Sequence, residues 1–361
     1  MTINTKINVG ILCGGKSAEH EVSLQSAMNV IEAIDKDKYE VILIGIDKLG
    51  VWFLLDSSDF LINKHDPKII ALNLNGAEKV AILPGSQGLL TVLDSTDQKI
   101  KLDVVFPILH GPQGEDGTVQ GLLKLAEVPF VGAGVLGASV GMDKDIMKRL
   151  LRDAGVPIGK FVTFKQKAEI VYADVVADLG LPLFIKPANL GSSVGVNKAK
   201  DEASFTLAIR EAFKHDTKII IEEFIDGREL ECAVLGNQDP EASGVGEIIP
   251  THEFYSYEAK YIDSNGAKTE IPAKVDKEVS EKVQELAIAT FNTLACEGLG
   301  RVDCFLKKDG SVVVNEINTL PGFTKISMYP KLWAEVGVSY PELIDRLITL
   351  ATERFENEER T

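Results

Sequence analysis

The chain has 361 residues, enough for two or three domains with separate cores, and its 45% hydrophobic and 25% charged composition is ordinary for a globular protein. Its formal net charge of −16 argues against a nucleic-acid partner, because proteins that bind polyanions present basic surface. The cysteines lack metal-ligand spacing, and the longest uncharged run is short and broken by glycine. We therefore expect a reduced, cytoplasmic protein with no membrane partner.

The first predicted unit is a buried strand, residues 6–13, followed by a glycine turn and a helix. Residues 10–17 also match the phosphate-loop pattern GxxxxGKS. We disfavour that interpretation, because apolar strand-forming residues occupy the variable positions and leave too short a loop. The alternative places Glu19 at a helix start beyond the carboxyl end of a strand, where open α/β sheets bind ligands. Glu19 could equally serve only to favour the helix dipole.

Strands at residues 39–47 and 102–108 continue an α/β pattern. His110 follows the second strand in a glycine-rich loop, where it could donate a hydrogen bond to a carboxylate or phosphate or be an ordinary turn residue. Residues 132–137 match the dinucleotide pattern GxGxxG. The strand before them is short and the expected acidic residue falls inside a helical run, so we disfavour a dinucleotide site.

A second region combines lysines with a small-residue loop. Lys144 opens a predicted helix, where it is either an ordinary first-turn lysine or a phosphate ligand placed there despite the helix dipole. Lys186 ends an apolar strand and precedes the Gly-Ser-Ser-x-Gly segment 191–195. Such a loop suits a cover over phosphates, although a polar hairpin turn is the alternative. Glu222 ends another apolar run, and a buried carboxylate needs partners such as an adenine amino group.

Residues 300–318 predict a β-hairpin around the turn Asp309-Gly310. A two-residue turn would place Asp303 opposite Glu316 and Arg301 opposite Asn318, with all four side chains on one face. Opposed carboxylates repel unless a cation lies between them, and carboxylate and amide oxygens suit Mg²⁺. A solvated polar strand face is the alternative.

Two further segments flank this hairpin. Residues 251–272 form a long, aromatic predicted loop, and a loop of this length in a compact domain is usually functional or disordered. After the hairpin, Gly322 can offer an unobstructed N–H to an oxyanion, and Ser327 precedes a predicted helix.

Taken in order, these segments resemble the D-alanine–D-alanine ligase family of the ATP-grasp superfamily over nearly the whole chain. The resemblance rests on the motifs within residues 14–23, 110–117, 142–144, 186–195, 257–261, 301–303 and 315–328. It implies a mixed α/β ATP-grasp fold of three domains. These are an N-terminal open parallel α/β sheet domain (1–132), a central domain (133–222) and a C-terminal domain (223–361) that carries the hairpin and the long loop.

The resemblance also implies a nucleotide site between the last two domains. ATP phosphates would contact Lys144 and Lys186, under a loop that carries Ser192 and Ser193. The adenine would contact Glu222, Glu223 and Ile225, the ribose would contact Glu229, and Lys260 would serve both nucleotide and substrate. Two Mg²⁺ or Mn²⁺ ions would be held by Asp303, Glu316 and Asn318.

The implied activity is ATP-dependent joining of two D-alanines through an acyl phosphate, for peptidoglycan precursor synthesis, by a homodimer. The first D-alanine would contact Glu19, Val22 and His110, and the second would contact Ser327 and Met328. The implied catalytic residues are Glu19, Ser192, Tyr261, Arg301 and Gly322. Tyr261 and Met328 favour D-alanine at both sites. Another ATP-grasp ligase, or a nucleotide-binding regulatory protein without catalysis, are the alternatives.

Overall fold

The computed structural model describes residues 6–95, 98–250 and 267–360. The predicted site residues Lys260 and Tyr261, and most of the predicted loop 251–272, lie outside the described residues. Within these ranges, no helix combines the length and apolar composition needed to cross a bilayer.

The N-terminal part of the chain forms a seven-stranded sheet with helices. Its elements are β1 Ile7–Gly14, α1 His20–Ala33, β2 Tyr39–Ile46, β3 Trp52–Leu55, β4 Leu61–Ile62, β5 Ala71–Leu72, β6 Glu78–Ile82, β7 Leu89–Val92, β8 Lys99–Lys101, β9 Val104–Ile108 and α2 Thr118–Leu125. The strand order is β8-β7-β6-β3-β2-β1-β9, and β4 and β5 pair separately as a two-stranded sheet. Residues 11–13 lie fully buried in β1, which confirms a strand rather than a phosphate loop at this position.

Only β2, β1 and β9 of this sheet are parallel. The strands β3, β6, β7 and β8 extend it in antiparallel pairing, which the predicted parallel sheet did not include. The burial pattern explains the difference. β6 and β7 alternate between buried and partly exposed residues, as expected for antiparallel strands with one solvated face, whereas β9 is buried throughout.

The middle of the chain forms a four-stranded antiparallel sheet and four helices. Its elements are α3 Val135–Met142, α4 Lys144–Asp153, β10 Phe161–Lys165, α5 Tyr172–Leu179, β11 Leu183–Pro187, β12 Asn197–Ala199, α6 Glu202–Ala212 and β13 Lys218–Glu223. Asp143 separates the first two helices, and its side chain caps α4 by accepting hydrogen bonds from the Asp145 and Ile146 amides. The helix predicted to open near Lys144 is therefore α4, and Lys144 is its first residue.

The C-terminal part forms a five-stranded antiparallel sheet in the order β16-β15-β14-β17-β18. Its elements are β14 Gly227–Gly236, β15 Glu241–Pro250, β16 Ala267–Glu270, α7 Lys277–Thr293, β17 Gly298–Lys307, β18 Val312–Asn318, α8 Met328–Glu335 and α9 Tyr340–Glu359. Each large sheet falls within one predicted domain, except that β13 extends one residue past 222. We keep the boundaries at residues 132 and 222 as a proposal.

The predicted hairpin is β17 and β18, with a different turn. Lys307 pairs with Ser311, so the turn has three residues, and Gly310 at its end has a φ of 84°. The register shifts between Asp303 and Cys304, where Asn315 is an extra residue in β18. Beyond this bulge Asp303 lies opposite Glu316 and Arg301 opposite Asn318, as predicted. The two-residue turn was wrong, and the register at the site was right.

Candidate active site

A cavity of about 420 Å³ opens between the four-stranded and five-stranded sheets. Its walls combine apolar side chains such as Phe184 and Phe305 with a group of charged ones. All of the predicted nucleotide residues that the structure describes line this cavity, namely Lys144, Lys186, Ser192, Ser193, Glu222, Glu223, Ile225 and Glu229. Concave sites with apolar walls and a few polar groups are where small ligands bind. The structure therefore brings together residues that are spread over 86 sequence positions, from 144 to 229.

The inner wall of the cavity holds a carboxylate between two lysines. Glu222 is 8% exposed; its oxygens lie 2.8 Å from Lys148 Nζ and 2.5 Å from Lys186 Nζ. Burial alone would raise the pKa of Glu222, but the two ammonium groups outweigh it and lower that pKa to about 2. Burial lowers the pKa of Lys148, against the attraction of Glu222. Glu222 is thus held ionised by protein groups before any ligand contacts it.

Lys144 lines the same cavity from the start of α4. Its ammonium donates to the Leu190 carbonyl at 2.7 Å and lies 3.4 Å from Glu316 Oε2. The neighbouring loop holds Ser192 and Ser193 with φ of 50° and 60°, a conformation in which successive N–H groups can converge on an anion. Lys144 therefore connects the loop predicted to cover phosphates with a carboxylate predicted to hold metal.

Three acidic side chains lie in one row across β14, β17 and β18. Glu231 is opposite Asp303, which is opposite Glu316. Arg301 compensates part of this charge, because its Nε lies 3.0 Å from Glu231 and the guanidinium donates two hydrogen bonds of 2.8 Å to Asp303. Asn318 Nδ2 donates to Asp303 at 3.0 Å. The predicted quartet of Arg301, Asp303, Glu316 and Asn318 is therefore assembled on one face.

The donor set at this row fits a divalent metal ion, because carboxylate and amide oxygens are the ligands that hard cations take. Among the residues described, Glu229, Glu231 and Asp303 offer carboxylate oxygens that all lie within 4.8 Å of one another. This group shares only Asp303 with the predicted ligands Asp303, Glu316 and Asn318. The family implies ATP and a divalent metal, whereas the particular ligands stay a prediction.

The predicted site for the first amino acid lies at the start of α1. Glu19 is 7% exposed, and Ser192 Oγ donates a hydrogen bond to its carboxylate, which connects the covering loop to this site. Gly111 has a φ of 74°, and a Cβ there would lie 2.6 Å from Glu19 Oε2. The space beside the Glu19 carboxylate therefore depends on a glycine at 111.

Val22 and His110 are both buried near Glu19, at 3% and 4% exposure. The ring nitrogens of His110 lie 3.0 Å from the Leu320 carbonyl and 3.2 Å from Ser26 Oγ. Burial lowers the pKa of His110, despite the opposing attraction of Glu19. The imidazole is therefore engaged with protein atoms at both nitrogens, and its contact with a substrate stays a prediction.

The predicted second amino-acid site lies in the segment after the hairpin. A Cβ on Gly322 would lie 2.8 Å from Ser327 Oγ, so a glycine allows the two residues to approach. Ser327 Oγ accepts the Thr324 N–H at 3.0 Å, and Met328 begins α8 as a buried residue. This segment brings Gly322, Ser327 and Met328 together on one loop.

Three site residues had no predicted role: Lys148, Glu231 and Glu115. Lys148 lies one helical turn after Lys144, and Glu231 alternates with Glu229 along β14, so their spacing contained a signal. Glu115 was part of the glycine-rich motif, but one of its two partners, Leu320, is distant in sequence. Its carboxylate accepts hydrogen bonds from the Gly111 and Leu320 amides at 2.8 and 3.1 Å.

The chain is similar to known proteins over nearly its whole length. The family models for the N-terminus and C-terminus of D-ala D-ala ligases match residues 8–133 and 150–349. The chain is 56% identical to the D-alanine--D-alanine ligase of Oceanobacillus iheyensis over 98% of both chains. It is 52% identical to D-alanine--D-alanine ligase A of Escherichia coli K12, over 97% of this chain and 96% of that one.

Solved structures of similar proteins share the fold. The D-alanine-D-alanine ligase of Coxiella burnetii superposes with a TM-score of 0.87 at 39% identity, covering 98% of this chain and 96% of that one. The VanG D-Ala:D-Ser ligase of Enterococcus faecalis superposes with a TM-score of 0.84 at 38% identity, covering 96% and 100%. The architecture is thus the ATP-grasp fold of these ligases, and the chain belongs to the D-alanine–D-alanine ligase family.

Proposed function

We propose that this protein joins two D-alanine molecules to D-alanyl-D-alanine, with conversion of ATP to ADP and phosphate, in the supply of peptidoglycan precursors. The observation that carries this proposal is the single cavity lined by the eight described nucleotide residues, together with the Ser192–Glu19 hydrogen bond that connects its covering loop to the amino-acid site. Membership of the ligase family supports the same reaction.

In the first step, a carboxylate oxygen of D-alanine attacks the γ-phosphorus of ATP, the bond to the ADP oxygen breaks, and an acyl phosphate forms. Such a transfer needs in-line positioning and neutralised charge more than covalent help from the protein. Lys144 and Lys186, which line the cavity from different elements, would contact the phosphates. Glu19 would hold the ammonium of this D-alanine, with Val22 and His110 beside it.

The nucleotide's other end would lie against β13 and the segment after it. Glu222, with the backbone at Glu223 and Ile225, would hold the adenine, and Glu229 would hold the ribose. Because Lys148 and Lys186 already compensate its charge, Glu222 can accept a hydrogen bond from an amino group without being an unpaired buried carboxylate. Phe184 and Phe305 supply apolar walls.

We infer that two Mg²⁺ or Mn²⁺ ions accompany ATP, held by Asp303, Glu316 and Asn318. Bound metal would neutralise the charge on the β- and γ-phosphates. Arg301 keeps the Asp303 carboxylate oriented through two hydrogen bonds, and Lys144 faces Glu316.

In the second step, the amine of another D-alanine attacks the acyl carbon, its proton is lost, and phosphate leaves with the C–O electron pair. Ser327 and the Met328 N–H would bind the carboxylate of this second D-alanine. The Gly322 N–H and Arg301 would stabilise the tetrahedral oxyanion, and each such donor is worth about 3–4 kcal/mol in comparable sites. A closed loop around Ser192 and Ser193 would keep water from the acyl phosphate.

The remaining roles are also proposals. Tyr261 would complete a hydrogen-bonded triad with Ser192 and Glu19, and Lys260 would contact both nucleotide and substrate. We further propose a homodimer in the cytoplasm. Specificity for D-alanine at the second site is proposed from the family resemblance, because Met328 matches the residue of the D-alanine users, whereas one similar structure is named a D-Ala:D-Ser ligase.

The test is release of ADP by the purified protein with ATP, Mg²⁺ and single amino acids. We expect ADP and dipeptide with D-alanine and neither with L-alanine. Equal, absent or L-dependent release would contradict the proposal. D-serine and D-lactate, each added with D-alanine, test the second site, and we expect D-alanyl-D-alanine to remain the main product.

A further inference from the structure

The loop that carries Gly322 is bonded on both sides to the N-terminal part of the chain. On one side, the Leu320 N–H donates to Glu115 Oε2 at 3.1 Å, and the Leu320 carbonyl lies 3.0 Å from His110 Nδ1. On the other side, the Phe323 N–H donates to Ser26 Oγ at 3.2 Å. Both backbone groups of Leu320 and the amide of Phe323 are therefore held by side chains more than 200 positions away in sequence.

Donor and acceptor can be assigned to each hydrogen bond of His110 and Ser26 in a single way. A carbonyl only accepts, so His110 Nδ1 carries the proton toward Leu320. Burial lowers the pKa of His110 and favours the neutral ring, whose Nε2 is then an acceptor. Ser26 donates its hydroxyl proton to that nitrogen, at 3.2 Å, and accepts the Phe323 N–H on its oxygen. The chain from Phe323 through Ser26 and His110 to Leu320 is thus satisfied in a single arrangement.

We propose that Ser26 and Glu115 are positioning residues for the second step of the reaction, because with His110 they fix the backbone on both sides of the Gly322 N–H. This inference rests on the proposed function and adds two residues to it. Neither residue touches the reacting atoms. A misplacement of catalytic groups by about 1 Å can cost roughly a hundredfold in rate, so the hold on this loop bears directly on turnover.

Glu115 extends the connection to the first amino-acid site. Its other oxygen accepts the Gly111 N–H at 2.8 Å, and Gly111 is the residue whose Cβ would meet Glu19 Oε2. One carboxylate therefore joins the loop beside the first D-alanine to the loop that would stabilise the oxyanion. The two half-sites share one support, which keeps the acyl phosphate and the Gly322 N–H in a fixed relation.

The variants Ser26→Ala and Glu115→Ala test this inference, with Glu115→Gln as the conservative change that keeps one acceptor oxygen. Ser243→Ala is a matched control, because Ser243 is also fully buried and accepts a backbone N–H, that of Ala233, at 3.0 Å. Steady-state kinetics for ATP and D-alanine are measured with thermal unfolding of each variant. Loss of one oxyanion donor lowers kcat by about 10²–10³, so we expect a fall of about tenfold or more in Ser26→Ala and Glu115→Ala.

The KM for ATP should stay near the wild-type value in these variants, Glu115→Gln should recover part of kcat, and Ser243→Ala should lose stability while keeping kcat. The inference is overturned if Ser26→Ala and Glu115→Ala keep the wild-type kcat, or if Ser243→Ala loses as much kcat as they do. Failure of the proposed function has a different signature, because then the wild-type protein itself makes no dipeptide.

Discussion

At the scale of single residues, the site contains buried charged side chains that are paired with one another. Lys148 is 2% exposed, and a lysine so deeply buried is rare unless it is paired. Its ion pair with Glu222, and that of Lys186 with the same carboxylate, supply the pairing. The cluster is most sensitive at Glu222, because its removal would leave two buried ammonium groups without the carboxylate that they share.

We expect Lys148→Met to lower the free energy of unfolding by about 1–3 kcal/mol, because one buried Glu222 oxygen would lose its donor, and to raise the KM for ATP, since Glu222 would keep only Lys186 as a cation. Arg149→Met is the control on the same helix. Its side chain is 54% exposed, so its ion pair with Asp145 should contribute less than about 1 kcal/mol. Urea unfolding and ATP kinetics check both variants, and equal losses in the two would contradict this account of Lys148.

The carboxylates of the acidic row give a second prediction. Asp303→Ala or Glu316→Ala should abolish D-alanine-dependent phosphate release, because each would remove a proposed metal ligand. Asp309→Ala changes a carboxylate in the turn of the same hairpin, where it accepts the Ser311 N–H at 3.0 Å, and should keep the wild-type rate. Near-normal turnover in either of the first two variants would refute the metal assignment.

At the scale of elements, two features of the hairpin offset each other. The Asp309-Gly310 signal predicts a two-residue turn, but the structure has a three-residue turn that shifts the inner pairs by one position. The bulge at Asn315 shifts them back, so Asp303 and Glu316 face each other. No local pattern marks that bulge. It lies next to Val314, whose N–H donates to the Pro157 carbonyl at 2.8 Å, a contact with a distant segment.

Gly111 and Gly310 allow the effect of backbone strain to be distinguished from the effect of a contact with the site. Gly111 and Gly310 both have positive φ, at 74° and 84°, so an alanine costs about 1 kcal/mol or more in backbone strain at each. Nothing lies within 4 Å of a Cβ on Gly310, whereas one on Gly111 would meet Glu19. We expect both Gly→Ala variants to lose stability, and only Gly111→Ala to lose D-alanine-dependent activity.

Unfolding curves and D-alanine kinetics measure this contrast. If Gly111→Ala and Gly310→Ala retain the same activity, the space beside the Glu19 carboxylate has no part in substrate binding.

At the scale of the whole molecule, the site is assembled from all three parts of the chain. Glu19 comes from the N-terminal part, Ser192 from the middle and Gly322 from the C-terminal part. Hydrogen bonds connect the N-terminal part of the chain to each of the other two parts. Arg354 near the C-terminus adds a further connection, since its guanidinium donates to the carbonyls of Phe130 and Gly132 at the end of the N-terminal part.

The sequence was sufficient for the identity of the fold and for eight residues that line one cavity, because short motifs carry both. It was insufficient for the antiparallel half of the first sheet, whose short strands give weak periodicity. It also gave no role to Lys148, Glu231 or Glu115, because each has a partner in another part of the chain, namely Glu222, Arg301 and Leu320. Such partners are defined by tertiary packing rather than by spacing along the chain.

In the proposed reaction, the D-alanine carboxylate is phosphorylated before the amine of the second D-alanine attacks it. D-alanine labelled with ¹⁸O in its carboxylate tests this directly, by mass spectrometry of the phosphate released during turnover with ATP and Mg²⁺. Since the carboxylate oxygen that attacks phosphorus leaves with the phosphate, we expect one ¹⁸O in the phosphate for each dipeptide formed. Unlabelled phosphate accompanying the formation of dipeptide would contradict the account.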